Sequence, residues 1–134
     1  MDSSVLIAAE QKKLDWNAFV RSFSDEPLFV SSITLSELWH GYHRGKGLAL
    51  PQRLAFIRQI EAAIPTLGFA AEEARIHAKI WAKLEEAGQT ISPHDFIIAA
   101  TALAYEYALA TLNESEFRRI PDLKVISGHQ FLLK

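Results

Sequence analysis

The sequence predicts an α/β fold: a central, mostly parallel sheet with helices on both faces, in a three-layer α/β/α arrangement. Three observations point there. Short apolar runs of strand length alternate with longer stretches whose apolar residues recur three and four positions apart. Proline, glycine and serine stand at the joints between them. The 134 residues fit one domain rather than two.

The elements follow in order. Residues 5–10 read as a short helix after Asp2. Residues 14–23 are amphipathic, with Leu14, Phe19 and Phe23 spaced for one face. Pro27 breaks that pattern, and residues 28–31 read as a buried strand. A helix opens at Thr34 and runs to about His43, where Gly45 and Gly47 end it. Pro51 starts another, to about Ile64, with Leu54, Ile57 and Ile60 on one side. Residues 65–69 suit a strand. Residues 72–87 form a helix in which Ile76, Ile80 and Leu84 repeat every fourth position, and Gly88 stops it. Ser92 and Pro93 suit the N-cap and first position of a helix through Tyr105. Strands are expected at residues 108–112 and 124–127. Residues 1–128 are read as a single domain, and 129–134 as a frayed tail without a clear role. The chain shows neither an internal repeat nor a low-complexity segment.

Composition narrows the function. With 49% hydrophobic and 22% charged residues, the chain is globular rather than disordered. It has no cysteine, which excludes disulfides and thiolate metal sites and favours an intracellular, cytoplasmic setting. The N-terminus carries an acid and no basic stretch before an apolar run, so it does not read as a signal peptide. A net charge of −2 is unlike the basic footprint of a dedicated DNA-binding domain. A nucleic-acid substrate would need a local basic patch, or metal ions that invert the field.

The acids carry the chemistry. Asp2 precedes the first helix, and Glu37 lies in the first turn of the helix after residues 28–31. Asp95 lies in the first turn of the Ser92 helix. Asn113 and Glu116 follow the strand at 108–112. Loops after parallel strands meet at the carboxyl edge of the sheet, where ligands bind. Asp95 joins the others there only if its helix starts on the same side. Converging carboxylates repel one another unless a cation sits between them, and a hard divalent ion with oxygen ligands answers that need. Each residue also has a plainer explanation. Thr34 and Glu37 fit a capping box, Asp95 gains from the helix dipole, Asp2 suits a mobile terminal charge, and Asn113 suits a turn.

The wording of the motifs adds to this. Asp2-Ser-Ser-Val-Leu-Ile7 resembles the opening Asp-Thr-(Asn/Ser)-Val-Leu-Ile of PIN-domain nucleases. Ser32-Ile-Thr-Leu-Ser-Glu37-Leu, with Gly41 four residues beyond, is similar to their second motif. Ser92-Pro-His-Asp95-Phe-Ile-Ile-Ala-Ala resembles the third, and Thr111-Leu-Asn113-Glu-Ser-Glu116-Phe the fourth. Order, spacing and length resemble the VapC toxins of bacterial type II toxin–antitoxin systems. The resemblance implies a PIN-like fold and a metal-dependent endoribonuclease, using Mg²⁺ or Mn²⁺, in which metal-activated water attacks a phosphodiester. It implies Asp2, Glu37, Asp95 and Glu116 as catalytic acids and metal ligands, supported by Ser4 and Asn113. It also implies a homodimer and a VapB-like antitoxin that threads a segment across the site.

Arg44, Lys46, Arg118 and Arg119 are candidate RNA contacts, though they equally suit solvated surface. Trp39 and Tyr42 could stack on bases, or, with Phe56, form core or a dimer patch. Among the histidines only His94, beside Asp95, merits attention. One departure stands out. The family's first Asp ends a buried apolar strand, whereas only Met1 precedes Asp2 here. Without that strand Asp2 is expected to be poorly anchored. That leaves two alternatives: a PIN-fold binding module with impaired catalysis, or a metal-dependent DNA nuclease or phosphatase.

Overall fold

A computed structural model describes residues 1–47 and 49–134. The chain runs α1 (Ser3–Glu10), α2 (Trp16–Ser22), β1 (Val30–Ser31), α3 (Ser32–Arg44), α4 (Leu50–Ala63) and β2 (Thr66–Leu67). It continues with α5 (Ala71–Glu86), α6 (Pro93–Ala104), β3 (Leu109–Thr111), α7 (Glu114–Phe117), β4 (Val125–Ser127) and a 3-10 turn, His129–Phe131. No described helix is long and apolar enough to cross a membrane.

The strands pair in parallel, as the alternation of elements requires, but the sheet is divided. β1 pairs with β2, with Val30 opposite Thr66. β3 pairs with β4, with Ala110 opposite Ile126. Residues 1 and 2 bridge the two ladders. The Met1 amine donates to Phe29 O at 3.0 Å, and the Asp2 N–H donates to Ala110 O at 3.1 Å.

Three apolar clusters hold the helices on these ladders. Leu6, Val30, Leu38, Ile57 and Ile60 join α1, β1, α3 and α4. Ile80, Leu84, Phe96, Ile98, Leu109 and Phe117 join α5, α6, β3 and α7. Val5, Phe19 and Ala110 tie α1 and α2 to β3. Trp39, Tyr42 and Phe56 are half-buried against the first of these clusters, which leaves them little face to offer as a flat apolar patch.

Two expectations need correcting. Helix α3 does not begin at Thr34. Ser31 is its N-cap, in extended conformation, and its hydroxyl accepts from Thr34 N at 3.1 Å. The serine two residues upstream of the helix's second position captures the free N–H first, so Thr34 is drawn into the core and the Thr34–Glu37 capping box does not form. Glu37 therefore lies beyond the first turn, with its carboxylate unused by the cap.

Nor is the C-terminal segment frayed. Phe131 O accepts from Asp15 N at 2.8 Å, Leu133 N donates to Lys13 O at 2.9 Å, and Leu132 bridges Leu14. The Phe131 ring meets Phe19 edge-on at 5.2 Å. Replacing half-buried Phe131 by alanine is expected to cost about 1–2 kcal/mol, below the range for a fully buried ring. Urea unfolding measures this, and an unchanged midpoint would show the segment to be dispensable.

Candidate active site

Asp2 sits where the two ladders and α1 meet, and it is 3% exposed. Its Oδ1 accepts from Ser4 N at 3.1 Å and Ser4 Oγ at 2.5 Å, so it serves as N-cap of α1. Its Oδ2 accepts from Thr111 Oγ1, at the end of β3, at 2.6 Å. Ser4 Oγ in turn accepts from Leu112 N at 2.9 Å. Asp2 is thus firmly held, contrary to the expectation of a loose terminus. The anchors come from the helix after it and from β3, not from a strand before it.

Glu37 reaches the same region from α3. Its Oε1 is buried with no hydrogen-bond partner, and its Oε2 lies 3.8 Å from His94 Nδ1. Burial raises its pKa, and the Asp2 charge adds to that, while His94 and the nearby Ser3 hydroxyl pull the other way. Asp95, in the first turn of α6, is pushed up to about 6, chiefly by burial and then by the charges of Glu116 and Asp2. Glu116, on α7, is lowered instead, because the Ser92 backbone N–H donates to its Oε1 at 2.6 Å and Asn113 Nδ2 to its Oε2 at 2.8 Å. Asn113 Nδ2 also reaches Asp95 Oδ2, at 3.4 Å. The two carboxyls are thus pushed in opposite directions, Asp95 toward its neutral form and Glu116 toward its charged one.

The carboxyl edge thus links the four acids through Asp2, which acts electrostatically on both Glu37 and Asp95, while Asp95 acts on Glu116, with α6 starting on the same side. Ser4 and Asn113 brace them. The basic candidates divide. Arg118 pairs with Glu114 at 3.6 Å, and Arg119 donates to Thr90 O at 2.8 Å and helps stabilise the Glu116 charge. Arg44, the last residue of α3, and Lys46 just after it are exposed, about 10 Å of helix beyond Glu37. In their stead stands Arg53 of α4, which lines a pocket with Glu37, Ile7 and Glu10 and bonds Gly41 O at 3.3 Å. Sequence reasoning passed over Arg53 and Thr111. The short return between α3 and α4 was the signal for the first. For the second it was a hydroxyl two residues before Asn113, at a strand end.

Among the described residues, no three acidic or histidine side chains already converge at ligand distance on one point. The donor set nonetheless suits a hard divalent cation. It offers carboxylate oxygens, one of them buried and unpaired at Glu37, and two side chains whose charged forms are disfavoured until positive charge arrives.

Parallel strands with carboxylates gathered at their carboxyl edge define an α/β protein with an acidic centre. The chain belongs to the PIN domain family, whose profile matches residues 1–123. It is 37% identical over 128 residues to Ribonuclease VapC of Rickettsia bellii, covering 95% of this chain and 93% of the relative. It is 32% identical over 96 residues to the tRNA(fMet)-specific endonuclease VapC of Salmonella typhimurium, covering 72% and 71%. Among solved structures, that of VapBC2 from Rickettsia felis bound to a promoter DNA fragment matches with a TM-score of 0.85 at 26% identity, covering 94% of this chain and 95% of that one.

The raised Asp95 pKa has a stability consequence. Its proton contributes stability that is fully present below about 4 and lost as the pH rises through about 6. Cation-free protein should therefore lose urea resistance between pH 5 and 7, and Asp95→Asn should flatten that slope and be the more stable form at pH 7.5. Parallel curves for the two proteins would contradict the assignment.

Removing the Thr111 hydroxyl as Thr111→Val leaves Asp2 Oδ2 buried without its donor. The expected loss is about 1–3 kcal/mol, read by the same unfolding curves. A variant as stable as the parent would mean that Thr111 does not anchor Asp2.

Proposed function

We propose that the chain is a divalent-cation-dependent endoribonuclease of the VapC kind, which hydrolyses RNA phosphodiester bonds and is neutralised by a VapB-like antitoxin. The observation that carries the proposal is the buried, unpaired Oε1 of Glu37, set among carboxylates whose charges oppose one another. A buried acceptor without a partner costs about 1–3 kcal/mol, a cost that a cation would relieve.

Asp2, Glu37 and Asp95 would hold the ion, with Glu116 as the fourth acid. Mg²⁺ or Mn²⁺ fits an all-oxygen donor set best. Such an ion acidifies a water for attack on phosphorus and offsets charge on the leaving oxygen. The protein's own part is positional. Ser4 and Thr111 fix the Asp2 carboxylate, with two bonds on Oδ1 and one on Oδ2, which leaves a lone pair of Oδ2 free. Asn113 spans Asp95 and Glu116 and keeps them facing each other. The exposed His94 lies beside Glu37, Arg119 stabilises the Glu116 charge, and Arg53 lines a pocket with Glu37.

RNA is preferred over DNA because the relatives carry ribonuclease and tRNA endonuclease names. An antitoxin partner is supported by the structural neighbours, which include VapBC2 of Rickettsia felis. The firm anchoring of Asp2 favours the nuclease reading over that of a catalytically impaired binding module.

Purified protein should cut an RNA pool with Mg²⁺ or Mn²⁺ and not with EDTA. Glu37→Gln and Asp95→Asn should each lower the rate on the order of 100-fold or more. Cutting that survives EDTA, or that persists undiminished in Asp95→Asn, would sink this reading. Equal cutting of single-stranded DNA would shift it to a general nuclease.

A further inference from the structure

Helices α1, α3 and α4 enclose a pocket of about 170 Å³. Ile7, Leu38, Phe56 and Ile57 form its apolar walls. Glu37 lines it as well, so the pocket adjoins the acidic centre. Gly41 stands one turn after Glu37 on α3, and a Cβ placed there would meet nothing within 4 Å. Glycine is an unfavourable choice inside a helix. What it leaves here is open space in the pocket that it lines.

The polar part of the pocket is an ion pair steadied by the main chain. Arg53 Nε donates to Glu10 Oε1 at 3.5 Å, and Arg53 Nη1 donates to Gly41 O at 3.3 Å. Gly41 O can accept because the last turn of α3 tightens. Gly45 N donates to Tyr42 O at 3.1 Å instead of to Gly41 O. Gly45 also makes room for the arginine, since a Cβ there would lie 3.0 Å from Arg53 Nη1 and 2.7 Å from Leu50 Cδ2. Two glycines thus serve this one side chain. Of the five N–H groups of a guanidinium, two are used here, and the other three have no partner among the described residues. Glu10 Oε2 has none among them either.

An arginine paired with a glutamate beside apolar walls suits a neutral, planar ligand with donors and acceptors along one edge. A phosphate does not fit, because Glu10 and Glu37 would both repel it. A nucleobase does, for it offers flat faces to apolar side chains and a polar edge. Pockets for drug-sized ligands begin at about 300 Å³, so this smaller one suits a single ring system. Guanine matches the pair best. Its O6 and N7 accept from an arginine, and its N1–H and N2–H groups can donate to a carboxylate, whereas adenine would turn an amino donor toward the guanidinium. We propose that this pocket binds one guanine base of the RNA substrate, with Arg53 on the O6 side and Glu10 on the N1–H side, and so selects guanine next to the bond that is cut. The position beside the cut rests on the nuclease reading, but the base site can be tested without cleavage.

The test titrates methyl-labelled protein in EDTA with guanosine, adenosine, cytidine and uridine, beside the variants Gly41→Leu and Arg53→Met. Guanosine should shift the Ile7 and Ile57 methyl resonances, and the other three nucleosides should bind at least about fivefold more weakly. Gly41→Leu places its side chain in open space and improves helix propensity, so it should melt no lower than the parent while losing the guanosine response. Arg53→Met, at a partly exposed position, should lose the preference among the four and keeps the test decisive if Gly41→Leu misfolds. With Mg²⁺, cuts in an RNA pool should show guanine enriched at one fixed position beside the cut, and both variants should lose that enrichment. No guanosine response, or one that survives in a folded Gly41→Leu, would overturn the proposal and leave the pocket to a side chain of a protein partner. Equal binding of all four nucleosides would overturn the choice of guanine. Guanosine binding by a protein that cuts no RNA would uphold the base site and fail the nuclease reading alone. Cutting with neither guanine enrichment nor guanosine binding would fail the base site alone.

Discussion

The hydrogen-bonded clamp on Asp2 is the constraint on which the rest of the molecule depends. Its two carboxylate oxygens are taken by Ser4 at the start of α1 and by Thr111 at the end of β3, positions more than a hundred residues apart in sequence. One buried side chain therefore caps a helix, joins the first turn of the chain to the last third, and sets the floor of the acidic centre. Charge-assisted hydrogen bonds of this kind are among the stronger ones available to a protein. Because the carboxylate is anchored by donors rather than by a neighbouring cation, its place does not depend on what else enters the site.

The remaining acids are arranged around that floor in a way that is electrostatically unfavourable by itself. Glu37 and Asp95 are both pushed toward their neutral forms, and Glu116 escapes only because the Ser92 N–H and Asn113 stabilise its charge. The conflict is met unequally: burial and its neighbours' charges favour the neutral form of Asp95, while the Ser92 N–H and Asn113 favour the charged form of Glu116.

The alternation of elements and most helix positions were legible in the sequence, because they follow from apolar periodicity and from Pro and Gly punctuation. The division of the sheet was not. It depends on backbone pairing across the molecule, and no local pattern records that Phe29 O and Ala110 O are both claimed by residues 1 and 2. The start of α3 was misplaced because two hydroxyl residues, Ser31 and Thr34, compete for one cap, and only burial decides between them: Thr34 is 0% exposed. The acids were found one by one from their positions after strands and at helix starts. Their convergence needed α6 to begin on the same side, which is a topological fact. Thr111 and Arg53 went unremarked because their roles come from long-range contacts, which leave no spacing to read.

The loop between α5 and α6 is stitched to α7 at two points, and both stitches use its main chain. Arg119 grips Thr90 by its carbonyl, and Glu116 takes Ser92 by its amide. The side chains of Gln89 and Thr90 are exposed and contribute nothing to either bond. This rim segment can accept substitutions freely while the carboxylates keep their places. Related chains could then diversify what they touch at the lip of the centre without rebuilding the centre itself, a separation of evolvable surface from fixed chemistry.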